Sequence, residues 1–194
     1  MKLLTVAAVL VSFAVTASAE DKKAQPPVTL ELVAKNDKYK FDGNGKAPAE
    51  FKTYLEEIAQ VQKDGKLARP PQPPAVELVL KFTNTTKNDT TIYVGGDSNS
   101  YTFDLTGGSG SVAVGSGRAF TEEFRFPKAV TLAPGKSYEI PVKQLADGHR
   151  GASRYVYWTG PGEYKLSAKY VLANADGSKG TELTSEPITI TVGK

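Results

Sequence analysis

Cysteine is absent from the 194 residues, and that one absence excludes disulfides, thiolate metal centres and a lipid-modified cysteine together. Histidine occurs once, as His149. Copper centres on β-sandwiches draw on imidazole and usually thiolate ligands, so a copper site is excluded as well. Excess charge of one sign is also missing: 24 Lys and Arg stand against 21 Asp and Glu, a formal net charge of +3. The two signs are interspersed, with no basic block beyond Lys22-Lys23. So small a charge exerts little pull on a phosphate backbone, and nucleic acid is not an expected partner.

Long apolar runs are scarce too, and the one present lies at the start. Lys2, an apolar stretch over residues 3–15 and the small-residue end Ala17-Ser18-Ala19 have the layout of a secretory signal peptide, with cleavage expected after Ala19. The stretch is too short to span about 30 Å of hydrocarbon, and no later segment is apolar enough to do so. Loss of residues 1–19 removes Lys2 and no acid, lowering the net charge from +3 to +2. The expectation is a secreted or periplasmic chain with no membrane span after cleavage. Residues 20–27 (EDKKAQPP) are charged and then Pro-rich, and read as a flexible N-terminal segment.

What is present in quantity is alternation. Val28, Leu30 and Leu32 alternate with Thr29 and Glu31; Val76, Leu78, Leu80 and Phe82 with Glu77, Val79 and Lys81. Tyr138, Ile140 and Val142 repeat the pattern, as do Tyr164, Leu166, Ala168 and Tyr170, then Ile188, Ile190 and Val192. A period of two places one face of each strand in a core and the other in water. Shorter strands are expected at residues 91–95, 100–106, 111–115, 120–126 and 128–132. Ala133-Pro134-Gly135-Lys136 has Pro and Gly where a type II turn wants them, and Asp176-Gly177, between the last two long strands, suggests a hairpin joining them. The fold class that follows is all-β: an antiparallel β-sandwich forming one domain over residues 28–194.

One segment departs from it. In residues 47–65, Phe51, Leu55, Ile58, Ala59 and Gln62 fall at helical spacing, Pro48 suits the first turn and Gly65 the stop. This predicts one short α-helix inserted between the first two long strands, its apolar stripe lying over the sandwich or, on the sharper reading, offered to a partner. Residues 67–74 (LARPPQPP) form an extended return.

The motifs VELVLKFTNTT (76–86), VTLAPGKSYEI (130–140), GPGEYKLSAKY (160–170) and SEPITITV (185–192), taken in order, resemble exported bacterial immunoglobulin-like sandwiches. The order is also similar to that of the domain family named for the intracellular proteinase inhibitor of bacilli. The resemblance implies an immunoglobulin-like fold and, through the second family, a proteinase inhibitor that presents an exposed loop. The helical insertion and the Gly-Ser-rich residues 107–117 depart from that shorter domain.

Chemistry-bearing residues are thin on the ground. Asp147, His149 and Ser153 crowd one expected loop and tempt a hydrolase reading; triads are assembled from separate elements, so ordinary hydrogen bonding by His149 and Arg150 in that loop is the plainer account. Residues 84–89, Asp97-Ser98-Asn99 and Asp104 supply oxygens without the carboxylate count a calcium loop needs, and Asx-turn chemistry explains them. Asn84-Thr85-Thr86 and Asn88-Asp89-Thr90 match the glycosylation acceptor pattern and read equally as turns. No catalytic, cofactor or metal residue is assigned.

The densest aromatic stretch, residues 154–170, divides in two. Tyr164, two residues before Leu166 and preceded by Gly160-Pro161-Gly162, has the spacing of a tyrosine corner, whose phenol bonds backbone a few residues upstream. Tyr155 and Tyr157 fall on one face and Trp158 on the other, which makes the two tyrosines the candidate ligand-binding patch, with Trp158 directed to the core. The expected function is an exported, non-enzymatic binding or structural module whose partner is another exported protein or cell-envelope glycan. The alternatives are a proteinase inhibitor and, behind it, a hydrolase.

Overall fold

The computed structural model describes residues 26–116, 123–149 and 152–194. The expected signal peptide, residues 20–25, residues 120–122 of one expected strand and Arg150 lie outside them. Among the described residues no helix is long and apolar enough to cross a membrane.

The chain runs β1 (Val28–Ala34), β2 (Lys38–Lys40), α1 (Pro48–Lys63), β3 (Ala75–Asn84), β4 (Thr90–Val94), β5 (Ser100–Gly107) and β6 (Ser111–Gly115). It continues with β7 (Lys128–Leu132), β8 (Ser137–Gln144), β9 (Ala146–His149), β10 (Ala152–Trp158), β11 (Gly162–Ala173), β12 (Lys179–Thr184) and β13 (Ile188–Gly193). It is an all-β, antiparallel sandwich with one helix inserted among the described residues. The smaller sheet has the order β1-β3-β8; the larger runs β2-β13-β11-β5-β9-β10-β6, with β12 and β4 on β11 and β7 on β4. Among the described residues only the short β2–β13 pairing is parallel.

The alternating positions meet between the sheets. Leu30, Leu80 and Phe82 face Phe103, Leu166 and Ile190, all 6% exposed or less, and the Phe82 ring stands edge-on to Tyr170 at 4.8 Å. At about 25 cal/mol per Å² of buried apolar surface, this interface is the main source of stability. A second, smaller cluster lies on the far side of β10, where Phe51, Leu55 and Ile58 of α1 cover Val114 and Tyr157. The helix begins as its sequence suggests, with Pro48 in its first turn and the Glu50 carboxylate accepting from Ala47 N–H at 3.3 Å. Gln62, on the same stripe, binds the edge strand: its Nε2 donates to Gly115 O at 2.8 Å and its Oε1 accepts from Gly115 N–H at 2.9 Å.

Three expectations change. Residues 123–127 form no strand, because the Arg125 backbone is taken by Asp97: Arg125 N–H donates to Asp97 Oδ2, and Asp97 N–H to Arg125 O, both at 2.9 Å. The hairpin at Asp176-Gly177 joins β11 to β12, not to the last long strand. Strand β13 pairs with the first half of β11 and β12 with the second; between them Ser185 bonds Ala168 through both its N–H and its Oγ. Third, His149 lies in a strand rather than a loop, since β9 pairs antiparallel with β10 and His149 stands opposite Ala152.

Candidate functional site

The aromatic stretch resolves as a corner, a buried face and the wall of a cleft. Tyr164, fully buried, donates its hydroxyl to Gly160 O at 2.7 Å and accepts Ser109 N–H at 3.2 Å. The phenol thus ties the entry of β11 to the β5–β6 turn. Gly108, at φ 49°, lies against the face of the ring, where any Cβ would collide with it.

Tyr155 and Tyr157 share a face, as alternation requires, and Trp158 takes the other. The shared face is the one α1 covers. Tyr157 is 1% exposed, stands edge-on to Phe51 at 6.0 Å and donates its hydroxyl to Pro71 O at 2.5 Å; burial pushes its phenol well above the ordinary tyrosine range. Tyr155 is partly buried beside it. The two do not form an open stacking patch, and the expectation of one is corrected: the helix occupies the surface a sugar ring would need. Trp158, 3% exposed, belongs to the sandwich core.

Where α1, the Pro-rich return and β2 converge, a cleft of about 530 Å³ opens. Its walls include Tyr39, Phe51, Tyr157 and Trp158, together with Pro71, Pro73, Pro74 and Ala75. Tyr39 is fixed at both ends, its ring 5.4 Å from Trp158 and its hydroxyl donating to Asn36 O at 2.7 Å while accepting Glu77 N–H at 3.1 Å. Burial raises the Tyr39 phenol above its ordinary range. Lys40, Asp42, Asn44 and Gln72 complete the lining, all exposed. Asn44 has φ 54°, the sole non-glycine with positive φ among the described residues, and its N–H bonds Asp42 Oδ1 at 2.8 Å.

The opposite end of the sandwich carries exposed aromatic rings. Phe124 and Phe126 are 53% and 68% exposed, with centroids 5.2 Å apart in an edge-on arrangement. Their segment is anchored by the Arg125–Asp97 pairing, and both rings rest on Gly177, the φ +81° residue at the tip of the β11–β12 hairpin, where a Cβ would lie 3.1 Å from Phe124. Ser98 Oγ donates to Gly177 O. Three loops are thereby locked under one aromatic pair. No signal in the sequence separated these phenylalanines from core positions, since F-x-F has the spacing of a buried strand face.

The remaining candidates are engaged elsewhere. Cross-strand partners share a face, and Ser153 pairs with Gly148 while Asp147 pairs with Arg154 and His149 with Ala152. Ser153 therefore projects from the side opposite Asp147 and His149. It lies 2.5 Å from Ser116 Oγ. Asp147, whose side chain is fully buried, accepts from Arg154 through both oxygens at 3.0 and 2.7 Å and from Phe103 N–H at 2.6 Å. The hydrogen bond to Asp147 raises the Arg154 guanidinium further above its ordinary value. Asn84, 1% exposed, bonds Leu132 O, Asn88 O, and the N–H and hydroxyl of Thr86; Asn99 bonds Gly96 N–H and Tyr93 O. Both act as turn-closing side chains. Among the described residues no three His, Cys, Asp or Glu side chains cluster as a metal would require.

No family model matches the chain, and no curated protein matches it. The crystal structure of a FixG-related protein from Vibrio parahaemolyticus is similar at 10% identity and a TM-score of 0.26, over 87% of this chain and 98% of that one. A superposition that loose carries no argument about fold or activity.

Proposed function

We propose that the chain is an exported, non-enzymatic binding module that engages another exported protein through the loop end bearing Phe124 and Phe126. The observation that carries this reading is the aromatic pair itself: two large apolar side chains held in water on a backbone that is hydrogen-bonded on both sides. Aromatic side chains left exposed on a rigid support are the groups that anchor protein interfaces. Loops at the end of a sandwich are where such folds place recognition. Export rests on the signal-peptide layout of residues 1–19.

The inhibitor alternative would use the same exposed segment. A substrate-like loop must offer its backbone N–H and C=O to the protease cleft, and both of these groups on Arg125 are already paired with Asp97. That pairing favours side-chain docking over substrate mimicry. The hydrolase alternative draws no support from a register that sets Ser153 apart from His149.

A photo-crosslinker placed at residue 124 of the full-length chain, expressed in its own organism, tests the reading. One exported protein is expected to be captured repeatedly, and its capture lost in Phe126→Ser. Capture unchanged in that variant sinks the proposal, and stoichiometric inhibition of a serine or cysteine protease replaces it with the inhibitor reading.

A further inference from the structure

The cleft beside Trp158 lies at the start of β11 and the phenylalanine pair at its end, a strand of twelve residues or about 40 Å. A protein docked on one would leave the other open, so the cleft needs its own account.

We propose that the cleft is a saccharide site that receives an uncharged sugar ring. Its volume of about 530 Å³ lies within the range of small-ligand sites, roughly 300–1,000 Å³. The composition of the lining then selects the ligand. Half-buried Tyr39, Pro71 and Pro74 and exposed Ala75 form an apolar wall backed by the buried rings of Phe51, Tyr157 and Trp158, against which the C–H face of a sugar packs. Around it stand side chains that can hydrogen-bond: Lys40 donates, Asp42 accepts, and the amides of Asn44 and Gln72 do both. The side chains of Lys40, Asn44 and Gln72 have no partner among the described residues. Sugar hydroxyls, each donor and acceptor at once, match such a mixed rim.

Charge excludes the other classes. One cation and one anion, Lys40 and Asp42, cancel across the rim, so neither a phosphate nor a uronic acid finds a net field. A wholly apolar ligand would cover four polar side chains and leave them unsatisfied. Pre-organisation supports binding as well: Tyr39 is held by Asn36 and Glu77, and the Asp42–Asn44 hydrogen bond fixes the turn that sets Asn44 at the rim. Of Tyr155 and Tyr157, the pair the sequence offered as a ligand-binding patch, the cleft touches Tyr157 alone.

Trp158 is the chain's one tryptophan and lines the cleft, so its fluorescence reports occupancy directly. Cellobiose, chitobiose and maltose, each titrated into the full chain, are the probes, with a galacturonic acid dimer as the charged comparison. A saturable change with at least one neutral disaccharide is expected. The affinity should weaken about tenfold or more in Gln72→Ala/Asn44→Gly, which removes two rim hydrogen bonds while leaving the backbone free to keep its turn. Circular dichroism checks that this variant stays folded. Phe124→Ser should bind sugar unchanged, which separates this site from the protein-docking end. Sedimentation with insoluble cell-wall sacculi distinguishes a polymer source from free sugar; either source supports the site. A flat titration with every neutral sugar, equal binding by the rim variant, or tighter binding of the acidic dimer overturns it.

Discussion

The two faces of β10 enter two different cores. Val156 and Trp158 point into the sandwich, among side chains from both sheets; Tyr155 and Tyr157 point the other way, under a single helix. The first core joins residues from Val28 to Val192, almost the whole described chain, and nothing folds without it. The second is assembled from α1, β6 and β10, outside the space between the two sheets. One strand thus shows what is scaffold and what is addition. The proposed sugar cleft lies on the seam, with Tyr39 and Trp158 from one core and Phe51 and Tyr157 from the other.

Substitutions can break this contrast, beginning with the deepest. Phe82→Ala, at 0% exposure, should cost about 3–5 kcal/mol, and chemical denaturation should show both cores lost in one earlier transition. Arg154→Met lies on the sandwich side and strands the buried Asp147 carboxylate; a loss of about 3 kcal/mol is expected. Adding Asp147→Leu should recover most of it, a double-mutant cycle that reads the pair rather than the single side chain. Leu55→Ala, equally buried, should cost about 2–3 kcal/mol, but hydrogen exchange should speed up chiefly in α1 and little in β3 and β11. Uniform exchange across all of them would mean the two cores are one cooperative unit. Tyr164→Phe, which removes two hydrogen bonds at the corner, should cost about 1–2 kcal/mol without altering either proposed binding end.

The smallest effect is alkaline. Burial raises the phenols of Tyr157 and Tyr170, one in each core. A phenol whose folded value lies above its unfolded one stabilises the native state fully below the unfolded value of about 10. That contribution falls away as pH climbs above it. Unfolding midpoints should therefore decline from about pH 10 upward, and Tyr157→Phe should blunt the part of the decline that belongs to the helix core. An unchanged slope in that variant would separate the ionisation of Tyr157 from the stability of α1.

Much of this was legible in the residues. Period-two alternation located β1, β3, β8, β11 and β13, because strands half-buried between sheets write their two environments directly into sequence. The helix was legible for the same reason at a different period. Short β2 and polar β12, with only Leu183 buried, carry too little alternation to be seen. Parity correctly divided Tyr157 from Trp158, yet it could not say which face met water, since that was settled by an insertion nearly a hundred residues upstream. The strand expected at residues 120–126 failed in its described part because Asp97, distant in sequence, captured the Arg125 backbone. The cleft was invisible for a similar reason: its rim gathers Lys, Asp, Asn and Gln, ordinary surface residues until the fold brings them together around Trp158.

Strand β6 ends the larger sheet, and an uncovered end strand is a template on which another chain can extend the ladder. Gln62 fills both hydrogen-bonding positions of Gly115 with one side-chain amide, imitating the backbone of a next strand and then stopping. The inserted helix is in this sense a terminator of polymerisation. A variant that sheds α1 should still fold its sandwich, and should then aggregate edge to edge through β6.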